Sequence, residues 1–167
     1  MKRLFFLCLL LALPSCADDN GGGVGGCLTA SELRAERLTS KSSSNSTNEE
    51  LVLEYLDSEG NNLIENNTYH PAEVALAYGN VTQTEVVELQ NEDLKYLVWV
   101  VGFSKGKNPI SVTLSPSETD TLLLYATEVG FSGCSGPSFA IDSVFYNGEK
   151  QALENISDWL KKVTVIK

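Results

Sequence analysis

Residues 110–115 read ISVTLS, and this stretch decides the fold class. Isoleucine, valine and leucine alternate with serine and threonine, which is the period of a strand with one buried and one solvated face. Two further runs, residues 96–103 and 122–125, are apolar at successive positions and predict central strands buried on both faces. The chain is therefore expected to be built around a sheet.

The rest of the chain continues the same pattern. Strands are expected at residues 51–56, 74–78, 81–89, 139–145 and 163–166, with a short helical turn at 157–162. Phe139, Ile141 and Phe145 are predicted to line one side of their strand, which Asn147-Gly148 closes with a tight turn. About seven or eight short strands without long helices predict an all-β fold, an antiparallel β-sandwich that is immunoglobulin-like or similar. A parallel α/β fold is excluded because crossover helices are missing.

Composition narrows the function classes. The chain has 167 residues, enough for one ordinary domain, and its 12 basic against 22 acidic residues give a formal charge of −10. Nucleic acid is therefore not an expected partner, because its phosphates need a basic surface. With His70 as the single histidine and four cysteines, a zinc cluster is not expected, and no motif predicts another metal or a cofactor.

The amino terminus has the pattern of a secretory signal. Met1-Lys2-Arg3 is basic, and the apolar run 4–13 that follows has about half of the ~20 residues that span a bilayer as a helix. Leu13-Pro14-Ser15-Cys16 then resembles the lipobox of bacterial lipoproteins, which predicts a signal peptide at residues 1–15 and a lipid on Cys16. Ordinary secretory cleavage with a Cys16 thiol is the alternative. Cleavage removes two basic residues and no acidic one, so the formal charge falls from −10 to −12. So acidic a chain is not attracted to an anionic membrane, and the lipid on Cys16 is expected to hold the protein at its membrane partner.

Residues 16–26 are expected to be a lipid-anchored flexible tether, since the glycine-rich run 21–26 has no apolar area to bury. The acidic pair Asp18-Asp19 resembles the export signals of surface-exposed lipoproteins in Bacteroidota, although two carboxylates in a solvated linker explain it as well. Residues 27–50 predict a short helix followed by a Ser/Asn-rich loop. The β-sandwich domain is assigned to residues 51–167.

Two cysteines are left for a disulfide. Cys8 leaves with the signal and Cys16 takes the lipid, so Cys27 and Cys134 would meet an oxidising compartment together. In the chain-entropy model a loop of this length, on the order of 100 residues, contributes about 4–5 kcal/mol. Two unpaired thiols are the alternative, and a Cys134/His70 nucleophile pair has no local signature in its favour.

No catalytic residue is predicted. Glu85, Glu88, Asp120 and Asp142 could serve a glycoside hydrolase, but nothing in the sequence distinguishes them from charges on solvated strands. Residues 57–62 offer oxygen donors for calcium, although the glycine falls too early for an EF-hand and a hairpin turn explains the segment better.

The two tryptophans differ in their surroundings. Trp99 lies in the most apolar strand and is expected in the core, whereas Trp159 stands among polar residues and is the candidate ligand contact. A surface aromatic ring on a β-sandwich can stack on a sugar.

Three segments, residues 57–63, 119–122 and 144–148, resemble recurrent segments of small Bacteroidota cell-envelope lipoproteins. The resemblance implies a lipobox, a glycine-rich leash and a single β-sandwich, and it brings no activity with it. In such proteins Asp-Ser/Thr-apolar triplets accept O-linked glycans, which makes Thr121 and Ser143 candidate O-glycosylation sites.

The sequence thus predicts a lipid-anchored protein of the outer membrane, on its surface or on its periplasmic face. The expected role is a non-catalytic binding or accessory module with a glycan or an envelope protein as partner. A small carboxylate-dependent hydrolase and a structural component of an envelope complex are the alternatives.

Overall fold

The computed structural model describes residues 49–132 and 136–167. This part of the chain contains strands and turns and no helix, so none that could cross a membrane. The predicted signal peptide, the predicted tether and the predicted short helix lie outside the described residues, as do Cys16, Cys27 and Cys134. The ten strands are β1 (Glu50–Leu56), β2 (Ala75–Tyr78), β3 (Val81–Gln83), β4 (Val98–Val100), β5 (Gly106–Ser115), β6 (Glu118–Ser132), β7 (Gly136–Tyr146), β8 (Glu149–Lys150), β9 (Glu154–Asn155) and β10 (Leu160–Ile166).

The strands form two sheets, and the predicted all-β sandwich-like fold is confirmed. A six-stranded sheet has the order β3-β2-β5-β6-β7-β8, and a four-stranded sheet has the order β4-β1-β10-β9. Pairing is antiparallel except between β1 and β10, which run parallel in register from Glu50 beside Leu160 to Leu56 beside Ile166. The alternation of residues along a strand carries no information about the direction of its neighbour, so this parallel pair was not predicted.

The main core lies between the sheets, where every second residue of the long strands points inward. In the six-stranded sheet the hairpin residues Asn147 and Gly148 both have positive φ, 49° and 85°, as the predicted tight turn requires. The core side chains that are 0–3% exposed include Leu51, Leu53, Tyr55, Val74, Leu76, Val98, Val100, Ile110, Val112, Leu114, Leu122, Leu124, Val144 and Val163.

A second apolar cluster covers the other face of the four-stranded sheet. Val52, Trp99 and Leu160 point away from the main core and pack with Leu94 and Leu97 of the segment before β4. This second cover explains why β4 is apolar at successive positions and why Val52, on the outward side of β1, is buried. Trp99 is 2% exposed, which confirms its predicted place in a core.

Several predicted boundaries were wrong. The strand expected at residues 81–89 ends at Gln83, and Glu85 soon afterwards has a left-handed φ of 57° that breaks an extended chain. The helical turn expected at residues 157–162 is absent, because β10 begins at Leu160 and pairs with β1 along its whole length. Both changes come from contacts with distant residues that local patterns do not contain.

Candidate functional site

The outer face of the six-stranded sheet carries ordered rows of side chains. Register partners in antiparallel strands point to the same side, so the outward residues of β5, β6, β7 and β8 line up across the sheet. The rows are Ser111 beside Thr121; Pro109, Leu123, Phe145 and Lys150; and Lys107, Tyr125 and Ser143. We call these nine residues the outer face.

An open depression of about 550 Å³ lies on the outer face. Its floor is made by strand residues with small, hydroxyl or apolar side chains, and it contains no carboxylate. A volume of this size is within the range of small-molecule sites. The residues that border it are Ala77, Gly79, Lys107, Pro109, Ile110, Ser111, Thr121, Leu122, Leu123, Phe145 and Gly148.

Tyr125 and Phe145 form an aromatic pair on this face, with ring centroids 6.0 Å apart and the rings inclined at 74°. Both rings are half-buried. The prediction that Phe145 shares a side with Ile141 was wrong, because a β-bulge interrupts the pairing where Tyr125 faces Ser143 and the next residue of β6 faces Ile141. The extra residue reverses the alternation, so Ile141 stays in the core and Phe145 turns outward.

Two lysines flank the aromatic pair. Lys107 is the register partner of Tyr125, and Lys150 is the register partner of Phe145. Both lysines are exposed, and neither takes part in the ion pairs found among residues 49–132 and 136–167. The outer face therefore carries two positive charges, Lys107 and Lys150, on a chain whose formal charge is −10.

A polar cluster at one end of the sandwich joins the two sheets through Asp120. This buried carboxylate accepts hydrogen bonds from the Tyr146 hydroxyl at 2.5 Å and the Asn147 amide at 2.8 Å, and it pairs with Lys167. The Tyr146 hydroxyl also lies 3.1 Å from that of Tyr55, on the opposite sheet.

Glu118 completes this cluster. Its carboxylate lies 2.7 Å from the Lys167 ammonium and accepts a hydrogen bond of 3.1 Å from the Tyr69 hydroxyl. One ammonium group thus neutralises part of the charge of two carboxylates, Glu118 and Asp120. We call Tyr55, Tyr69, Glu118, Asp120, Tyr146, Asn147 and Lys167 the end cluster.

Hydrogen bonds decide the ionisation of the end cluster. Burial alone would raise the pKa of Asp120, but the bonds donated by Lys167, Tyr146 and Asn147 outweigh it and lower that pKa. Burial opposes the charge of Lys167 as well, and its bonds to Asp120 and Glu118 raise its pKa nevertheless. A general acid needs a carboxyl whose pKa is raised, so Asp120 is suited to holding the sheets together and not to protonating a substrate.

Two of the other carboxylates considered for catalysis, Glu88 and Asp142, accept local hydrogen bonds. Glu88 accepts the backbone N–H of Gln90 at 2.8 Å, and Asp142 accepts a hydrogen bond from the Thr127 hydroxyl. Glu85 is exposed in the irregular segment that follows β3. These three residues lie on separate elements of the fold from Asp120.

The segment 57–62 forms a turn. Asp57 Oδ1 accepts the backbone N–H groups of Glu59 and Asn61 at 2.8 and 2.9 Å, and Oδ2 accepts the Asn61 amide at 2.8 Å. The bonds from Asn61, first from its amide and then from its backbone, lower the pKa of Asp57. Its oxygens are thus used within the turn, as the hairpin interpretation predicted.

A second depression, of about 530 Å³, lies beside this turn. Its polar groups are largely satisfied within the protein. Glu54 pairs with Lys162 at 3.0 Å and accepts a hydrogen bond from Thr164, while the Asn62 side chain accepts the N–H of Ile64. Compared with the outer face, it offers few groups to a ligand.

Trp159 is half-buried and stacks on Trp99, with centroids 6.4 Å apart and rings inclined at 19°. One side of the Trp159 ring is thus taken by Trp99, and ligand contact by Trp159 stays a prediction. His70 is exposed, and its Nδ1 accepts the N–H of Ala72 at 3.3 Å, in agreement with the turn-capping role considered for it.

The candidate O-glycosylation residues both lie on the outer face. Thr121 is exposed and borders the depression, and its backbone N–H donates to the Asn147 side chain at 2.8 Å. Ser143 is half-buried beside Tyr125. O-glycosylation of either residue stays a prediction.

Sequence reasoning missed Lys107, Tyr125, Phe145 and Lys150 as site residues. Alternation along β5 could have placed Lys107 outward, since Ile110 and Val112 point inward. The positions of the other three depend on the bulge and on strand register, which no local pattern reports.

The tyrosines provide a test of the end cluster. Burial raises the pKa of Tyr55 and Tyr146, and it raises the pKa of Tyr78 to about 12. We expect the folded protein at about pH 11, above the usual tyrosine pKa of about 10, to show fewer phenolates than its six tyrosines allow. Ultraviolet absorbance measures them, and urea at the same pH should release the rest.

Tyr146→Phe is the matched variant for this titration. It removes a phenol that stays protonated in the folded state, so the native phenolate count should not change, whereas the count in urea should fall by one. Ionisation of all six tyrosines in a protein that keeps its folded circular dichroism would contradict the buried cluster.

The chain was compared with protein-family models, with curated proteins and with solved structures, and none of the three comparisons gave a match. Among the described residues no group of three or more His, Cys, Asp or Glu side chains could hold a metal ion.

Proposed function

We propose that the protein is a lipid-anchored outer-membrane protein that acts as a non-catalytic binding module. The observation that carries the proposal is the outer face, where Phe145 and Lys107 border an open depression and Tyr125 and Lys150 stand beside these two residues. Neither lysine pairs with a carboxylate in the described part of the chain. Pockets that combine apolar walls with a few polar groups are the usual form of ligand sites.

The amino-terminal pattern supports the location. A lipid on Cys16 and a glycine-rich tether would hold the sandwich at a membrane surface while leaving it free to turn. A chain with a formal charge of −10 gains no attraction from anionic lipids, so the lipid is the membrane contact in this proposal.

The chemistry of the end cluster favours binding over hydrolysis. Glycosidases use one carboxylic acid with a raised pKa and a second carboxylate across the scissile bond. In the end cluster Asp120 has a lowered pKa and shares Lys167 with Glu118, so neither part of that machinery is supplied there.

Retention of envelope material tests the proposal. The full-length lipoprotein is reconstituted in phosphatidylcholine vesicles and mixed with solubilised polysaccharide and protein from cell envelopes. We expect the vesicles to retain polysaccharide whose size distribution is unchanged. A Cys16→Ser protein, which cannot carry the lipid, should stay in the supernatant.

Each other outcome overturns the proposal in a defined way. Shortened polysaccharide would establish the hydrolase alternative, and retention of proteins without polysaccharide would favour a structural component of an envelope complex. Sedimentation of the Cys16→Ser protein with the vesicles would overturn the lipid anchor.

A further inference from the structure

The geometry points to an acidic glycan, a uronate-containing oligosaccharide, as the ligand of the outer face. This inference rests on the proposed binding function and names its ligand class and its residues. Tyr125 and Phe145 would contact sugar rings, and Lys107 and Lys150 would contact carboxylates.

Shape and polarity together favour a sugar. A pyranose ring has an apolar C–H face and a rim of hydroxyls, so it needs an aromatic or aliphatic platform with hydrogen-bonding groups beside it. Tyr125, Phe145 and Leu123 supply the platform, and the Ser111 and Thr121 hydroxyls can both donate and accept. Carboxylates are missing from the border of the depression.

Charge complementarity selects an acidic sugar. The remaining described lysines are held by carboxylates: Lys95, Lys105, Lys161, Lys162 and Lys167 each have an acidic partner. Lys107 and Lys150 stand beside the aromatic rings and have no acidic partner among residues 49–132 and 136–167. Because the chain as a whole is acidic, an anionic ligand is repelled elsewhere and attracted only where positive charge is left uncompensated.

Two acidic residues neighbour outer-face residues in the chain, Asp142 before Ser143 and Glu149 before Lys150. Asp142 lies at the bulge next to Ser143, and its carboxylate accepts a hydrogen bond from Thr127. It does not border the depression.

The size of the site argues against two other partners. A stable protein interface buries about 800 Å² on each side, which requires more surface than this depression offers. Nucleic-acid binding typically neutralises several phosphates, about 6–10 in well-studied cases, and this face has two lysines.

Calorimetry with oligogalacturonate as the probe tests the inference, with neutral maltooligosaccharide for comparison. The full-length lipoprotein is used in mild detergent. We expect oligogalacturonate to bind with an affinity that falls as the salt concentration rises. The neutral probe should bind at least about tenfold more weakly, a difference of about 1.4 kcal/mol in binding free energy.

Variants assign the binding to the outer face. Lys107→Gln with Lys150→Gln keeps much of the apolar stems but removes both charges, and should weaken oligogalacturonate binding at least about tenfold. Tyr125→Leu keeps an apolar side chain and removes the ring, and should weaken binding of the probe by a similar factor. Lys105→Gln is the matched control, because Lys105 pairs with Glu128 away from the depression, and its affinity should stay at the wild-type value.

The outcomes separate this inference from the proposed function. Retention of envelope polysaccharide together with equal binding of acidic and neutral probes would overturn the acidic ligand and leave the binding module standing. Unchanged affinity in both variants would overturn the outer face as the site. A glycan on Thr121 or Ser143, found by mass spectrometry of the mature protein, would occupy this face covalently and would also overturn the inference.

Discussion

Replacing Asp120 with alanine should lower the free energy of unfolding by about 2–4 kcal/mol. The carboxylate is 8% exposed and accepts hydrogen bonds from Tyr146 and Asn147 as well as the ion pair with Lys167. Its removal leaves a buried hydroxyl without its acceptor, which costs about 1–3 kcal/mol, and a partly buried ammonium with Glu118 alone. The end cluster also connects the two sheets, so the substitution should lower the stability of the whole domain.

Urea denaturation of the full-length protein measures this effect. Asp142→Ala is the matched control, because Asp142 is exposed and its side chain accepts one hydrogen bond, from Thr127. This variant should change the free energy of unfolding by about 0.5 kcal/mol or less. Equal unfolding midpoints for the two variants would contradict a stabilising role for the end cluster.

The same carboxylate predicts how stability depends on pH. The pKa of Asp120 is lower in the folded protein than in the unfolded chain, where it is about 3.9. Between the two values the unfolded state binds more protons, so stability falls as the solution becomes more acidic. The contribution is fully present above about pH 5 and is lost as the pH falls below about 4 through the folded pKa, and this part of the acid dependence should be missing in Asp120→Ala.

Lys167 gives the opposite dependence at high pH. Its pKa is raised in the folded protein, so its contribution is present below the ordinary lysine pKa of about 10.4 and is lost as the pH rises through the higher folded value. Because of these two pKa shifts, the end cluster contributes its full free energy of stabilisation only between the acidic range where Asp120 is protonated and the basic range where Lys167 is deprotonated.

Replacing Trp99 with alanine should destabilise the domain by about 3–5 kcal/mol, the range for removing a buried tryptophan from a core. The ring is 2% exposed and belongs to the cluster on the outward side of the four-stranded sheet, together with Val52 and Leu160, and it stacks with Trp159. In a sandwich with a single core this side of the sheet would face water, and the substitution would hardly change the free energy of unfolding.

Chemical denaturation also measures this effect, with Trp159→Ala and Val81→Ala for comparison. The half-buried Trp159 should contribute less than Trp99, and the double variant should lose less than the two single losses together, because the rings contact each other. Val81 is 60% exposed and its substitution should change stability by about 0.5 kcal/mol or less. A Trp99→Ala effect as small as that of Val81→Ala would contradict the second cluster.

The position of Phe145 on the outer face was beyond sequence reasoning for a specific reason. Strand alternation assigns a side to each residue only as long as pairing is regular, and the bulge in β7 adds one residue between Ile141 and Ser143. Every side chain after it changes face, which brings Phe145 beside Tyr125. The end cluster was hidden for another reason, since Tyr55, Asp120 and Lys167 are far apart in the chain and meet only when the sheets close.

The sequence by itself determined the all-β class, the approximate places of most strands, the Asn147-Gly148 turn and the burial of Trp99. These features follow from side-chain period and turn chemistry, which act over a few neighbouring residues. Only the tertiary structure decided the parallel pairing of β1 with β10, the side on which Phe145 lies and the meeting of Asp120 with Lys167. Each of these depends on which distant strand supplies the backbone partners, and that choice is made by the closing of the whole sandwich.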